Sequence, residues 1–303
     1  MTEADEVLLE DDEQEDEELQ DHELEDEAPP PASGQPIVTA DDAMTLAEAR
    51  ALSGRRGARL VLLMGEAETG KTAVIAMLWQ RFLEEDGLAG HRLAGSRTAR
   101  GFERRAHWAR LKAREPEAHL PGTRIVDGGL LHLRVRRPDG RRVELLLWDL
   151  AGEQFGHVRE GRRLADELPW AARVDRFVVV LDAKALSLRG GSEIAVTSAQ
   201  RLLLALQASH VVRDTARVAV LVTKGDMLTD AGEQALARHE PALLEVARES
   251  DSDAVCIRTG PRDLGDPHGL GDLITWLCRD DRPQSPLPVH EVQPRRSIAA
   301  FRA

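Results

Sequence analysis

The sequence has no apolar run near the roughly 18 residues that a bilayer-spanning helix requires, so no membrane-spanning helix is expected. Nor does it open on a basic stretch followed by an apolar one, which argues against a secretory signal. Cysteine is scarce. Cys256 and Cys278 both fall inside apolar segments and are expected to be buried, reduced thiols. No internal repeat is visible. Basic residues are missing from residues 1–28, which hold 16 of the 53 Asp and Glu; the remaining 37 face 40 Lys and Arg, a net of +3. The net charge of −13 is therefore a property of the tail. An acidic tail repels phosphate and a nearly neutral body attracts little of it, so nucleic acid is not an expected partner. Together these absences predict a soluble cytoplasmic protein without a membrane or nucleic-acid partner.

What is present divides the 303 residues into three parts. Residues 1–36 are an expected disordered acidic tail and linker, since like charges repel and little apolar material is available to bury. Leu8, Leu9, Leu19 and Leu24 leave an acidic docking arm open as the alternative. Residues 37–281 are long enough for one α/β domain. Residues 282–303 are proline-rich and expected to be flexible.

Within the central part, "TADDAMTLAEARAL" predicts a helix capped by Thr39. "ARLVLLMG" reads as a buried strand ending at Gly65, and "KTAVIAMLWQRFLEEDG" as a helix closed by Gly87. Two apolar runs, 130–137 and 142–149, flank "PDG" and predict a hairpin. "DRFVVVLDA", "ARVAVLVTKGD" and "DAVCIRTG" are further strands, with helices between them. One helix carries Ala195, Ala199, Leu202 and Leu206 on one face, and the last carries Leu270, Leu273, Ile274 and Leu277. Alternating strands and helices predict a three-layer α/β fold. Its sheet should be mostly parallel, with one antiparallel hairpin strand.

The strongest chemical signal is "GEAETGKT": Gly65, Glu66, Ala67, Glu68, Thr69, Gly70, Lys71 and Thr72, with Ala73 next in the helix. It fits G-x-x-x-x-G-K-[ST] at every position, between a strand and a helix. Glycines let the backbone N–H groups curl inward toward phosphate oxygens. The helix adds its positive end. Lys71 supplies a point charge between β- and γ-phosphates, and the Thr72 hydroxyl can ligate Mg²⁺. "TKGD" closes a predicted strand, at the edge where α/β sheets bind ligands. The Asp226 carboxylate can accept from guanine N1–H and its 2-amino group, which adenine does not offer. The Lys224 stem can pack along the base.

The ordered set "GEAETGKT", "DLAG" and "TKGD" resembles that of Ras-like (translation-factor-class) P-loop GTPases, over roughly residues 58–280. "LAGSRTARGFERRAHWARL" followed by the hairpin and "WDLAGEQF" also resembles the bacterial double-GTPases, proposed from genomic context to act in conflict systems. The resemblance implies that Asp149 holds Mg²⁺ through a water and that the Gly152 N–H touches the γ-phosphate. It implies a first-switch threonine, for which Thr123 is the candidate. It also implies a final base-contacting loop, here Thr259 and Gly260, where the usual S-A-K is missing.

Two departures from the pattern stand out. Lys71 and Asp149 are 78 positions apart, more than a minimal domain needs, and the excess falls at about 88–122. It holds Arg92, Arg97, Arg100, Arg104, Arg105, Arg110 and Arg114, any of which is either an internal arginine finger or part of a solvated basic face. Glu153 stands directly after the D-x-x-G glycine, where the family has glutamine, and Gln154 comes next. These features predict a GTP/GDP- and Mg²⁺-binding switch with slow hydrolysis. Gly152, Glu153 and Gln154 would serve the reaction, and an unidentified protein, a second GTPase or an activator, would be its partner. A non-hydrolysing scaffold that uses nucleotide structurally is the alternative. A P-loop ATPase is another, and it leaves "TKGD" without a job.

Overall fold

The computed structural model describes residues 37–39, 41–84, 87–114, 129–168, 170–260 and 269–280. The acidic tail 1–36, the first-switch candidate Thr123 and the C-terminal segment 282–303 lie outside them.

The described residues form one eight-stranded sheet. Its strands are β1 (Ile37–Val38), β2 (Arg59–Met64), β3 (Arg92–Ser96), β4 (Leu130–Arg136), β5 (Arg142–Asp149), β6 (Arg176–Asp182), β7 (Arg217–Thr223) and β8 (Val255–Arg258). Across the sheet the order is β1-β3-β4-β5-β2-β6-β7-β8. β4 is antiparallel to both its neighbours, and every other pairing is parallel. The predicted single hairpin strand in a parallel sheet is therefore observed. β1 and β3 extend the sheet beyond β4 and were not read from the sequence.

β2 shows why the sheet carries helices on both faces. Leu60, Leu62 and Met64 join one core with Leu202, Leu206 and Leu243, whereas Val61 and Leu63 join another with Ile75, Phe102 and Ile274. A strand alternates its side chains, so an all-apolar strand must bury two faces. α1 (Leu46–Arg56), α7 (Gly191–Ser209) and α8 (Asp230–Ser250) cover the first face. α2 (Lys71–Glu84), α3 (Ala99–Arg114) and α9 (Leu270–Cys278) cover the second. Short helices α4 (Gly156–Arg159), α5 (Leu164–Glu167) and α6 (Ala183–Leu186) line the connections. No helix among the described residues is long and apolar enough to cross a membrane.

The first helix begins later than predicted. Its cap is Thr45, which forms a reciprocal capping box with Glu48. Thr39 instead directly follows the edge strand β1, its N–H donating to Ser96 O at 2.9 Å. Both cysteines are free, and burial pushes both thiols up to about 12.

Polar contacts at the β4–β5 hairpin set the start of α3. Ser96 Oγ donates to His132 O at 2.7 Å, the His132 N–H donates to Thr98 Oγ1 at 2.9 Å, and the Arg97 N–H donates to His132 Nδ1 at 3.0 Å. The other ring nitrogen of His132 lies 2.6 Å from Glu144, which also accepts from Arg134 Nε at 2.7 Å. Burial alone would raise the Glu144 pKa, but these two partners outweigh it and leave it lowered.

Candidate functional site

The site lies at the carboxyl ends of β2, β5, β6 and β7, where a parallel sheet presents its loops. The loop from Gly65 to Gly70 leaves β2 and turns into α2. Gly70 has φ +95°, and a Cβ there would sit 3.3 Å from Thr223 Oγ1, so both conformation and space favour glycine. Lys71 is buried, and its ammonium donates to Gly65 O at 2.9 Å and Glu66 O at 2.6 Å. Burial lowers its pKa to about 8 against the opposing charges of Asp149, Glu153 and Glu66. An ammonium held by two carbonyls at the N-terminal end of a 14-residue helix is well placed for an anion.

Asp149 ends β5 and is fully buried. Thr72 Oγ1 lies 3.2 Å from both of its carboxylate oxygens. Two hard oxygen donors side by side, one of them charged, suit Mg²⁺. Arg105 Nε donates to Asp149 Oδ2 at 2.9 Å, so a cationic side chain already sits at this carboxylate. Of the seven arginines singled out in the insertion, Arg105 is thus one that reaches the site. Arg104 pairs with Asp42 at 3.1 Å, away from it.

"GEQF" forms a 3₁₀ turn over Gly152–Phe155. Gly152 is pressed onto the phosphate loop: a Cβ there would lie 2.6 Å from Ala67 Cα and closer still to Ala67 N and the Glu66 carbonyl carbon. Phe155 is buried beneath the turn, while Glu153 is exposed and Gln154 half-buried. Arg159, on α4, forms an ion pair with Glu66. The phosphate loop and the segment after Asp149 are therefore joined by backbone packing and by charge. Arg159 was missed from sequence, because nothing local marks an arginine seven residues past the motif.

On the other side, Thr223 Oγ1 donates to Thr69 O at 2.5 Å and anchors the phosphate loop to β7. Lys224 has φ +55°. Its ammonium donates to Glu68 O at 2.7 Å and meets Asp182 Oδ2 at 2.6 Å. Asp226 is exposed on the following 3₁₀ turn. Thr259 O accepts from the Gly225 N–H at 2.8 Å. The Thr259 hydroxyl donates to Val222 O at 3.2 Å, so the backbone of Thr259 and Gly260, rather than that side chain, borders Asp226. Thr223 and Asp182 were also missed. Their signal was position alone, since each is the last residue of a strand that ends at the site edge.

A model of the Double-GTPase 2 family matches residues 59–277, which spans every motif just described. No curated protein sequence matches the chain. Among solved structures, a bacterial selenocysteine-specific elongation factor, EF-Sec, is similar at 12% identity with a TM-score of 0.37, over 73% of this chain and 28% of that one. The signal recognition particle receptor SRb-GTP/SRX complex from Chaetomium thermophilum is similar at 18% identity with a TM-score of 0.43, over 73% of this chain and 97% of that one. The translation elongation factor SelB from Methanococcus maripaludis, in its apo form, is similar at 13% identity with a TM-score of 0.31, over 66% and 29%. The chain thus spans under a third of the length of the two elongation factors.

Proposed function

The chain belongs to the Double-GTPase 2 family, a GTP-binding domain of P-loop fold, and from that premise we propose that it is a Mg²⁺-dependent guanine-nucleotide switch with slow hydrolysis. The observation that carries this reading is the double attachment of the phosphate loop. Gly152 and Arg159, which follow β5, hold it on one side, and Thr223 and Lys224, at the end of β7, hold it on the other.

In this reading the N–H groups of residues 65–70 and the start of α2 bind phosphate oxygens. Lys71 exchanges its two carbonyl partners for the β- and γ-phosphates. Thr72 and Asp149 hold Mg²⁺, whose charge neutralises the phosphate oxygens. The Gly152 N–H senses the γ-phosphate. The Lys224 stem packs on the base, and Asp226 selects guanine by accepting its N1–H and 2-amino protons. Glu153 and Gln154 compete to orient the attacking water. A carboxylate at Glu153 adds negative charge beside an anionic phosphate and within electrostatic reach of Lys71, which makes turnover slow. Loss of the γ-phosphate removes its contact with the Gly152 N–H and leaves the 152–159 segment held only by its packing on the loop and by the Arg159–Glu66 pair, a switching mode open to any loop held by that group.

The exposed carboxylate at Glu153 also favours a second reading, a nucleotide-held scaffold that does not turn over. In either case the protein works in the cytoplasm of a bacterium. Its partner is a second GTPase or an activator, within a signalling or conflict system; this setting rests on the family resemblance alone. The test is competitive binding of GTP, GDP and ATP to the emptied chain with Mg²⁺. Guanine nucleotides displacing a fluorescent GDP, with ATP failing to, supports the reading. Equal displacement by ATP refutes it.

A further inference from the structure

The carboxylate expected to serve Mg²⁺ is held by a cation of the chain's own. Asp149 has a fully buried side chain, and Arg105 Nε donates to its Oδ2 at 2.9 Å. Arg105 is itself mostly buried, at 18% side-chain exposure, and its Nη1 donates to Gly101 O at 3.1 Å. The guanidinium is thus clamped between its own helix and the carboxylate. α3 is firmly seated: Phe102 and Ala106 are buried, Trp79 stacks on Phe102 at 4.8 Å, and Trp79 Nε1 donates to Glu103 at 2.7 Å. The position of Arg105 follows from this packing and from the hairpin contacts that start the helix.

A buried carboxylate requires a compensating charge. The Thr72 hydroxyl, 3.2 Å away, is a neutral partner and does not supply one. Arg105 does. A divalent cation brought to the same carboxylate would stand a few ångströms from the guanidinium, and two cations at that range in a poorly hydrated pocket repel strongly. We propose that Arg105 is an intramolecular competitor of Mg²⁺ for Asp149. It balances the carboxylate while the site is empty, and it must give up that contact when the metal loads. This rests on the reading of Thr72 and Asp149 as the Mg²⁺ ligands. It makes metal loading a two-state exchange of cations, one end of which is built into α3.

The test uses the full chain, emptied of nucleotide, with fluorescent GDP retention titrated against Mg²⁺. Wild type is compared with Arg105→Ala and Arg105→Lys. The expected result is a Mg²⁺ midpoint at least tenfold lower for Arg105→Ala, about 1.4 kcal/mol of competition removed, with Arg105→Lys between the two. Thermal unfolding supplies the second readout. In EDTA, Arg105→Ala melts below wild type because Asp149 loses its partner, and Mg²⁺ with GDP closes that gap. Equal midpoints in all three proteins overturn the proposal. So does a gap that persists in Mg²⁺ and GDP, which would make the pair purely structural. Lost hydrolysis in Arg105→Ala at an unmoved midpoint also overturns it, by making Arg105 a phosphate contact. If Arg105→Ala fails to fold, the Arg105→Lys midpoint decides. Wild type that binds no guanine nucleotide at any Mg²⁺ concentration would remove the underlying site reading, whereas binding with unmoved midpoints removes only the role of Arg105.

Discussion

Adding one methyl group at Gly152 should separate GTP sensing from nucleotide binding. A Cβ built there lies 2.6 Å from Ala67 Cα, whereas ordinary van der Waals contact begins at 3.4 Å. The segment must therefore retreat by 0.8 Å against that atom alone, and further against Ala67 N and the Glu66 carbonyl carbon, which lie nearer. All three are backbone atoms of the phosphate loop, so no rotamer change relieves the clash. The loop itself is fixed by Thr223 and Lys224. The 152–155 turn must move instead, by about 1 Å or more. A misplacement of that size at a reacting centre costs about 100-fold in rate. The Lys71, Thr72, Lys224 and Asp226 contacts are untouched, so GDP affinity should stay within about threefold, under 1 kcal/mol. The assay pairs GTP and GDP affinities with single-turnover hydrolysis. In Gly152→Ala any preference for GTP over GDP should vanish and hydrolysis should fall about 100-fold. Wild-type turnover in the variant would refute the argument, because it would mean that Gly152 does not stay packed on the phosphate loop in the loaded protein.

Three further predictions follow from other contacts. Burial lowers the Lys71 pKa to about 8, and bound phosphate would raise it. Binding therefore takes up a proton above pH 8 but not well below it, so GDP affinity should be flat near pH 7 and fall about fourfold by pH 8.5; calorimetry in buffers of different ionisation enthalpy would detect the proton, and a flat profile would contradict the burial argument. Asp226→Asn should shift preference from guanine to xanthine nucleotides, since an amide NH₂ donates to the 2-oxo group; unchanged GTP selectivity in competition binding would remove Asp226 from the base site. Thr223→Val keeps the shape but removes the donor to Thr69 O, leaving a buried acceptor unpaired at a cost of about 1–3 kcal/mol; denaturant unfolding of the empty chain should show that loss, and an unchanged midpoint would show that the anchor is dispensable.

The parts of the site legible in the sequence are those written in consecutive residues. "GEAETGKT", "DLAG" and "TKGD" each need only a strand end and a short loop, so motif and placement arrive together. The five strands of six to eight residues, β2, β4, β5, β6 and β7, stand out as apolar runs, because burial on two faces removes polar residues, and the four-residue β8 shows as the shorter run "AVCI". β3 did not, since "RLAGS" is short, half-exposed and mixed in character. Its strand conformation comes from pairing with β4, a long-range contact. The cap at Thr45 is written in "TLAE" as a capping box, whereas Thr39 lies directly after the edge strand, its N–H bonded to Ser96 O, a contact that no local pattern announces. Arg105 was one of seven arginines in the insertion. Choosing it required the rotation of α3, set by Phe102 and Ala106 against the core and by His132 at the helix start. Arg159, Thr223 and Asp182 likewise act through partners from 42 to 154 positions away. Sequence spacing carries no trace of such contacts.

Guanine-nucleotide binding at the Lys71 loop and slow GTP turnover are the two properties on which every other proposed role of this chain depends. The most direct measurement denatures the purified full chain, identifies the released nucleotide by chromatography, and then follows Mg²⁺-dependent GTP turnover by the emptied protein. Guanine nucleotide is expected in the released fraction, with slow conversion of GTP to GDP that stops when Mg²⁺ is chelated. Adenine nucleotide in that fraction, or ATP turned over as fast as GTP, would contradict it.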